Sequence, residues 1–333
     1  MRRQCWKAAL AAAMLAIAAP ADAQIVIKLT SPTINDRLHE WMKLFPQRLE
    51  ARAPGKFKGE AYPASQLGPF ARMIEGLQLG TVEFTLLPGE FLVGVDKRFG
   101  VLGAPMLLDD LDHGYRAVHH PDFKATFWKL GEPKGIMVAG DLCETDTDYA
   151  FRAPVHSLDD FNGKKIRVFP SAMERETLRR LGASAAPMPL DEVTAAIQQG
   201  TIDSIKAGIP GFMGLKMYAV AKYLIRTSET LVCSMRFMSK PWFDKLPAEL
   251  QPIVLEEALK TDEIIHDYAV KDMVRLYAGW RQNGGEIKEL TPAERDDLRK
   301  RIGTVGDDVA NADPELHDAF ATWKRIAEAT RKK

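Results

Sequence analysis

One arginine stands in the middle of a predicted strand and could bind an anion. The segment GKKIRVFPS, residues 163–171, is rich in strand-forming residues and ends at a proline, which cannot donate to a β-ladder. Because side chains alternate along a strand, Arg167 points away from the face shared by Ile166 and Val168. A guanidinium presents a planar fork of donors that fits both oxygens of a carboxylate. Arg167 is therefore either a solvated side chain or an anion-binding group.

Apart from this arginine, the sequence contains no pattern that is typical of a catalytic or metal-binding site. It lacks the C-x-x-C, H-E-x-x-H, G-x-S-x-G and P-loop patterns. We therefore expect a protein that is not an enzyme and that uses no cofactor and no metal. Two cysteines lie beyond the first 23 residues, Cys143 and Cys233, and they either pair as a disulfide or lie apart as buried thiols.

The first 23 residues have the composition of a secretory signal peptide. A basic start precedes an apolar run from Ala8 to Ala19, and small residues at Ala21 and Ala23 predict cleavage before Gln24. The apolar run is too short to span a membrane, and no later run reaches about 20 apolar residues. The sequence thus predicts a protein exported to the periplasm, with no stable membrane insertion.

The charge balance narrows the class of partner. The 333-residue chain has 45 basic and 45 acidic residues, so its formal charge is zero. Nucleic-acid partners and anionic membrane surfaces call for a basic surface excess, which this balance does not supply. The length that remains after the signal is enough for roughly two domains.

Two series of alternating strands and helices follow the signal. The first, from Ile25 to Leu87, predicts β-α-β-α-β, and the second, from Gly163 to Ser204, predicts the same order. Short connections of this kind imply mostly parallel sheets covered by helices. Residues 247–285 predict one long helix or two nearly fused ones. No linker separates the halves, so we expect an α/β fold of two lobes that share a cleft and are joined by chain crossovers.

Three segments, in order along the chain, resemble the substrate-binding proteins of tripartite ATP-independent periplasmic (TRAP) transporters, the DctP-like family. They are YPASQLGPFARMIEGLQLGTVEFTLL, DFNGKKIRVFPSAMERETLRRLGASAAPMPLDEVTAAIQQGTIDS and SKPWFDKLPAELQ. The resemblance implies a two-lobed periplasmic binding protein with a long helix that spans both lobes. It also implies that a small organic anion, usually a carboxylate, binds in the cleft. The closed protein would deliver this anion to TRAP permease subunits in the inner membrane.

On this resemblance we divide the chain into a signal peptide and two lobes. Residues 1–23 form the signal, residues 24–144 and 233–272 form lobe I, and residues 145–232 and 273–333 form lobe II, which carries Arg167. We expect a monomer. A binding protein that feeds a sensor instead of a permease is an alternative, and an exported enzyme acting on a small acid is a weaker one.

The resemblance also assigns charged and polar site residues. Arg167 matches the arginine of the family's K-I-R-V strand, which pairs with the ligand carboxylate. A second family arginine falls at Thr147, although the nearby Arg152 could replace it. The usual asparagine is Ala207, and the adjacent Lys206 could supply a second cation. A carboxylate at Glu229 would repel an anion unless it faces away or is paired.

The remaining candidates for the ligand site are apolar. An arginine beside such residues favours an aromatic or hydrophobic monocarboxylate over a polyhydroxylated sugar acid, whose hydroxyls would be buried without partners. For Leu86 and Leu87, burial in the core of a strand is the alternative, and for Phe212 the alternative is packing at the hinge. The apolar candidates are Phe70, Leu86, Leu87, Pro88, Phe91, Phe169, Leu190 and Phe212.

Overall fold

The computed structural model describes residues 24–332, apart from the side chains at 269 and 270. The predicted signal peptide and its cleavage site therefore lie outside the described residues. Within the described part of the chain, no helix combines the length and apolar character needed to cross a bilayer.

Eleven strands within residues 24–332 form two sheets. The strands are β1 (Ile25–Thr30), β2 (Phe57–Tyr62), β3 (Phe84–Pro88), β4 (Ile136–Asp146), β5 (Asp148–Phe151), β6 (Lys165–Val168), β7 (Ser184–Pro187), β8 (Ser204–Ala207), β9 (Tyr223–Arg226), β10 (Leu231–Ser239) and β11 (Glu286–Glu289). In the first sheet the order is β2-β1-β3-β10-β4, and β10 runs antiparallel to both of its neighbours. In the second sheet the order is β11-β9-β5-β8-β6-β7, and β5 runs antiparallel to β8 and β9.

Helices cover both sheets. The α-helices are α1 (Arg37–Arg52), α2 (Phe70–Leu79), α3 (Leu111–Val118), α4 (Pro121–Phe127), α5 (Ala172–Arg180), α6 (Val193–Gln198), α7 (Ile209–Gly214), α8 (Lys240–Phe243), α9 (Gln251–Gln282), α10 (Pro292–Ile302), α11 (Val305–Ala312) and α12 (Pro314–Thr330). Short 3-10 helices lie at Gly89–Leu92, Lys97–Gly103, Glu132–Lys134, Leu158–Phe161, Leu190–Glu192 and Met217–Ala219.

Local sequence explains where these helices begin and end. Helix α1 begins after Asp36, whose carboxylate accepts a hydrogen bond from the backbone N–H of His39. Helix α2 ends at Gly80, which has φ of +73°, a conformation that glycine adopts without steric cost. The predicted α/β class and both β-α-β-α-β series are confirmed. The predicted long helix is the single helix α9.

The chain passes between the two sheets three times, twice directly and once through helix α9, which leads from β10 of the first sheet to β11 of the second. It leaves β4 of the first sheet and enters β5 of the second after Thr147 alone, and it returns from β9 to β10 through residues 227–230. Helix α9, about 48 Å long at 1.5 Å per residue, packs on α1 and β4 near its start and reaches the second core through Trp280. These connections confirm two lobes spanned by one helix.

The C-terminal helices are shared between the two lobes. Helices α10 and α11 contact α5 beside the second sheet, whereas α12 packs on α3 and α4 beside the first. Trp323 of α12 contacts the rings of Phe123 and Phe127 there. The division of the chain at residues 144, 232 and 272 stays a prediction.

The two cysteines form a disulfide. Cys143 on β4 and Cys233 on β10 face each other across the antiparallel pair, and 90 residues separate them in sequence. Of the two alternatives left open by the sequence, pairing is therefore the one adopted. The bond therefore joins β4, from which the chain crosses to the second sheet, to β10, at which it returns to the first.

Candidate functional site

A cavity of about 540 Å³, counting the space at its mouth that is open to solvent, lies between the two lobes. It forms where β1, β3 and β4 of the first sheet end and where β6 and β8 of the second sheet end. Ligand sites in open α/β sheets lie at such strand ends. Seven of the residues predicted from the sequence line this cavity, namely Phe70, Pro88, Phe91, Arg167, Phe169, Leu190 and Ala207.

Arg167 is the central polar group of this cavity. Its side chain is fully buried on β6, where Nε donates to the Met188 carbonyl at 3.1 Å and Nη1 donates to the Lys206 carbonyl at 3.2 Å. Nη2 has no hydrogen-bond partner among the described residues. Burial lowers the pKa of the guanidinium to about 10, so it remains charged at neutral pH. Two of its five N–H donors are thus engaged by backbone carbonyls, and both N–H groups of Nη2 have no partner among the described residues.

Three aromatic side chains extend the cavity wall away from this guanidinium. The ring of Phe169 lies 5.1 Å from the Arg167 guanidinium carbon. Phe91 contacts Phe169, with ring centroids 5.2 Å apart, and Phe70, at 4.0 Å. Because Phe91 belongs to the first lobe and Phe169 to the second, their contact bridges the cleft. The structure therefore shows the lobes closed against each other.

Two carboxylates line the same cavity on the side of the first lobe. Glu144, near the end of β4, accepts from Arg236 Nη1 at 3.0 Å, and Arg236 Nε donates to Asp262 of helix α9 at 2.9 Å. Burial raises the pKa of Glu144 to about 7. Burial likewise raises the pKa of Asp36, which begins α1. The first-lobe wall therefore presents hydrogen-bond acceptors.

A glycine allows the two lobes to approach at this cavity. Gly208 follows Ala207 at the end of β8, and a Cβ at this position would collide with the Thr145 side chain. Both Gly208 and Thr145 line the cavity. A larger residue at position 208 would therefore push apart the strand ends that form the site.

Three apolar candidates lie in the core instead of the cavity. Leu86 and Leu87 are fully buried on opposite faces of β3 and belong to two different hydrophobic clusters. This is the alternative that the sequence left open for them, and it arises because helices cover both faces of a central strand. Phe212 is also fully buried and packs against Trp280 of helix α9.

Thr147 and Arg152 also lie apart from the cavity. Thr147 is buried in the first crossover, where its Oγ1 lies 2.8 Å from Oγ1 of Thr230 in the second. It therefore ties the two crossovers together. Arg152 is exposed, and its Nη1 lies 3.4 Å from the Ile197 carbonyl.

Lys206, on strand β8 of the second sheet, is buried and forms ion pairs with two buried carboxylates. Its Nζ lies 2.8 Å from Glu174 and 3.0 Å from Glu229, and all three side chains are about 1% exposed or less. Burial alone would lower the pKa of Lys206, but the two carboxylates outweigh it and raise that pKa. Glu229 also accepts from the Tyr149 hydroxyl at 2.7 Å. The charge that could have repelled an anion is thus paired with a cation.

The sequence reasoning missed the polar wall contributed by the first lobe. Its polar members include Thr33, Asp36, Glu144 and Ser234. Their positions could have predicted this wall, because ligands bind at the ends of strands and Asp36 follows β1 while Glu144 lies near the end of β4. Among the described residues, no group of three or more His, Cys, Asp and Glu side chains is placed to hold a metal ion.

Comparison with known proteins adds a family to this geometry. A family model for bacterial extracellular solute-binding proteins, family 7 (DctP), matches residues 30–313. The 2,3-diketo-L-gulonate-binding periplasmic protein of Escherichia coli K12 is 26% identical over 273 residues, which cover 81% of each chain.

Solved structures show the same fold. A TRAP periplasmic solute-binding protein from Desulfovibrio salexigens, with bound orotic acid, superposes with a TM-score of 0.86 at 20% identity and covers 92% of this chain and 99% of its own. Another, from Sulfitobacter sp. NAS-14.1 with bound β-D-galacturonate, gives a TM-score of 0.83 at 21% identity and covers 90% of this chain and 100% of its own.

Proposed function

Because the chain belongs to the DctP family of bacterial extracellular solute-binding proteins, we propose that it captures a small organic carboxylate in the cavity at Arg167. The observation that carries this proposal is a fully buried guanidinium that lines the cavity and whose Nη2 has no hydrogen-bond partner within residues 24–332. A buried donor without a partner costs about 1–3 kcal/mol. A carboxylate oxygen at Nη2 would remove that cost and neutralise the buried charge.

The lining favours an acid with a hydrophobic or aromatic body. Phe70, Phe91 and Phe169 form one continuous aromatic surface beside the guanidinium. Arg167 is the single lysine or arginine among the described residues that line the cavity. One ligand carboxylate is therefore enough to neutralise the positive charge of the lining. A polyhydroxylated acid would place more hydroxyls in the cavity than the first-lobe wall can pair, and those lying against these rings would be buried without partners. We therefore infer an aromatic or hydrophobic monocarboxylate as the ligand.

The closed cleft supports a role in delivery. With the lobes in contact, Arg167 is inaccessible to solvent, so a ligand can enter or leave only when the lobes separate. In the described part of the chain the two sheets are connected by two short crossovers and by helix α9, an arrangement that allows hinge motion. We propose that the closed, loaded protein passes its acid to the permease subunits of a TRAP transporter in the inner membrane.

A thermal-shift screen tests this function, because a ligand that binds the native state raises the melting temperature. The library contains aromatic and aliphatic monocarboxylates, dicarboxylates, sugar acids and orotate, with the uncharged carboxamide of each hit as its matched control. We expect monocarboxylates with apolar bodies to raise the melting temperature and their carboxamides to leave it unchanged. Shifts by neutral sugars or cations alone would refute the carboxylate site, and shifts by sugar acids alone would refute the apolar preference.

A further inference from the structure

We propose that the cavity selects carboxylates that also carry a hydrogen-bond donor, such as a hydroxyl or amino group, and that Glu144 and Asp36 bind this donor. The inference rests on the proposed function, because it assumes that the ligand carboxylate lies at Arg167. It adds a second recognition element on the opposite lobe, and so narrows the ligand class to acids with one carboxylate and one donor.

The two elements lie on different walls of the cavity. Arg167 projects from β6 in the second sheet, whereas Glu144 lies on β4 of the first sheet and Asp36 follows β1 of that sheet. The acid whose charge acts on Arg167 is Glu174, which belongs to the Lys206 cluster and does not line the cavity. No ion pair among the described residues joins the guanidinium to Glu144 or Asp36, and Glu144 pairs with Arg236 instead.

Glu144 is held rigidly and keeps an acceptor free. Its Oε1 accepts from Arg236 Nη1, and Arg236 is itself fixed by Asp262 and by the Ser234 carbonyl at 2.9 Å. No hydrogen bond of the described residues engages Oε2, and the side chain retains 8% exposure where it lines the cavity. Above its pKa of about 7, the ionised Glu144 carboxylate accepts hydrogen bonds but does not donate, so its complement on a ligand is an O–H or N–H.

Ser234 supplies an independent sign that this wall contacts a polar ligand group. Its side chain is 1% exposed and lines the cavity, yet its Oγ has no hydrogen-bond partner among the described residues. Buried hydroxyls in folded proteins are nearly always paired. A ligand donor that lies between Glu144 and Ser234 would satisfy both groups. The same acidic wall would repel a second carboxylate, which disfavours dicarboxylic acids.

Calorimetry with near-isosteric benzoates tests the inference on the wild-type protein. The probes are 3- and 4-hydroxybenzoate and 3- and 4-aminobenzoate, each compared with the methylbenzoate of the same pattern, and with benzoate as the common reference. A methyl group matches the size of a hydroxyl or amino group but cannot donate. We expect at least one donor to bind at least tenfold more tightly than its methyl partner, since a methyl group would leave the buried acceptors unpaired.

Two variants assign the preference to the wall. Glu144→Gln keeps the shape of the side chain and removes its charge. Asp36→Asn also removes a charge, and asparagine is as favourable as aspartate at the N-cap of a helix. We expect each variant to reduce the donor preference, which is the ratio of the affinities for a donor probe and its methyl partner, to threefold or less. The wild-type comparison decides the question even if Glu144→Gln does not fold.

The possible failures are distinguishable. Equal affinity for hydroxy, amino and methyl benzoates overturns the inference and leaves the carboxylate site intact. Binding of other acids without binding of any of the benzoate probes, substituted or not, also overturns it. If no carboxylate of any kind binds, the proposed function fails with it.

Discussion

Replacing Arg167 by alanine should abolish carboxylate binding without unfolding the protein. Removing one partner of a buried, hydrogen-bonded charge pair costs about 2–5 kcal/mol of binding free energy. A loss of that size weakens Kd by roughly thirtyfold to several thousandfold. The assay is calorimetric titration of the tightest acid from the screen into wild type and Arg167→Ala.

The ligand-free variant should be nearly as stable as wild type, because two effects of the substitution oppose each other. Burial lowers the pKa of Arg167 from 12.5 to about 10, so folding around the charged side chain costs about 3 kcal/mol, at about 1.4 kcal/mol per pH unit. The alanine removes this cost. It also removes the hydrogen bonds to the Met188 and Lys206 carbonyls, which contribute about 1.5 kcal/mol each. We therefore expect the free energy of unfolding to change by about 1 kcal/mol or less.

Two further variants complete this test. Arg152→Ala removes the other arginine considered for the site, which is exposed and lies outside the cavity, so its affinity should equal that of wild type. Arg167→Lys keeps the charge but loses the planar fork, and its affinity should fall between those of wild type and alanine. Wild-type affinity in Arg167→Ala, or an equal loss in Arg152→Ala, would refute the reasoning.

Three further predictions concern the buried charges and the disulfide. Burial raises the pKa of Glu90 to about 8, so its neutral form stabilises the fold at acid pH and this contribution is lost as pH rises from about 4.5 towards 8. Glu90→Gln should therefore raise the melting temperature at pH 8 and leave it nearly unchanged at pH 4. Lys206→Met leaves two buried carboxylates unpaired and should lower the free energy of unfolding by about 3–5 kcal/mol in urea titrations, while the folded protein keeps its ligand affinity. Replacing Cys143 and Cys233 by alanine should lower that free energy by about 2–4 kcal/mol, also without a change in affinity.

Each of these predictions has an outcome that contradicts it. An equal change in the melting temperature of Glu90→Gln at both pH values would show that Glu90 does not titrate between them. Loss of affinity in folded Lys206→Met would place that lysine at the ligand. An unchanged urea midpoint in the cysteine double variant would show that the disulfide does not constrain the unfolded chain.

The sequence predicted the alternating strands and helices because local patterns determine them. The apolar stripe of α1, the glycine that ends α2 and the proline that follows β6 are all readable without tertiary information. Arg167 was also predictable, since its strand resembles a family motif. The buried pairing of Lys206 was not, because its partners Glu174 and Glu229 lie 32 and 23 positions away in sequence and meet it only in the folded chain.

Assignment of residues to the cavity or the core needed the structure. Alternation along β3 tells which residues share a face, but both faces of this central strand are covered, so Leu86 and Leu87 pack in separate clusters. Asp36 caps the first turn of α1, and this local role explains the residue without a ligand site, although it also lies in the loop that follows β1. Glu144 lines the cavity because β4 pairs with β10 in the folded sheet, and local sequence does not reveal this pairing.

A crystal structure of the protein with its tightest carboxylate ligand tests the central claim most directly. We expect one carboxylate oxygen within about 2.7–2.9 Å of Arg167 Nη2, the range of charge-assisted N–H···O hydrogen bonds, with the ligand body against Phe91 and Phe169. A ligand carboxylate bound elsewhere, with Arg167 Nη2 still unpartnered, would contradict the account.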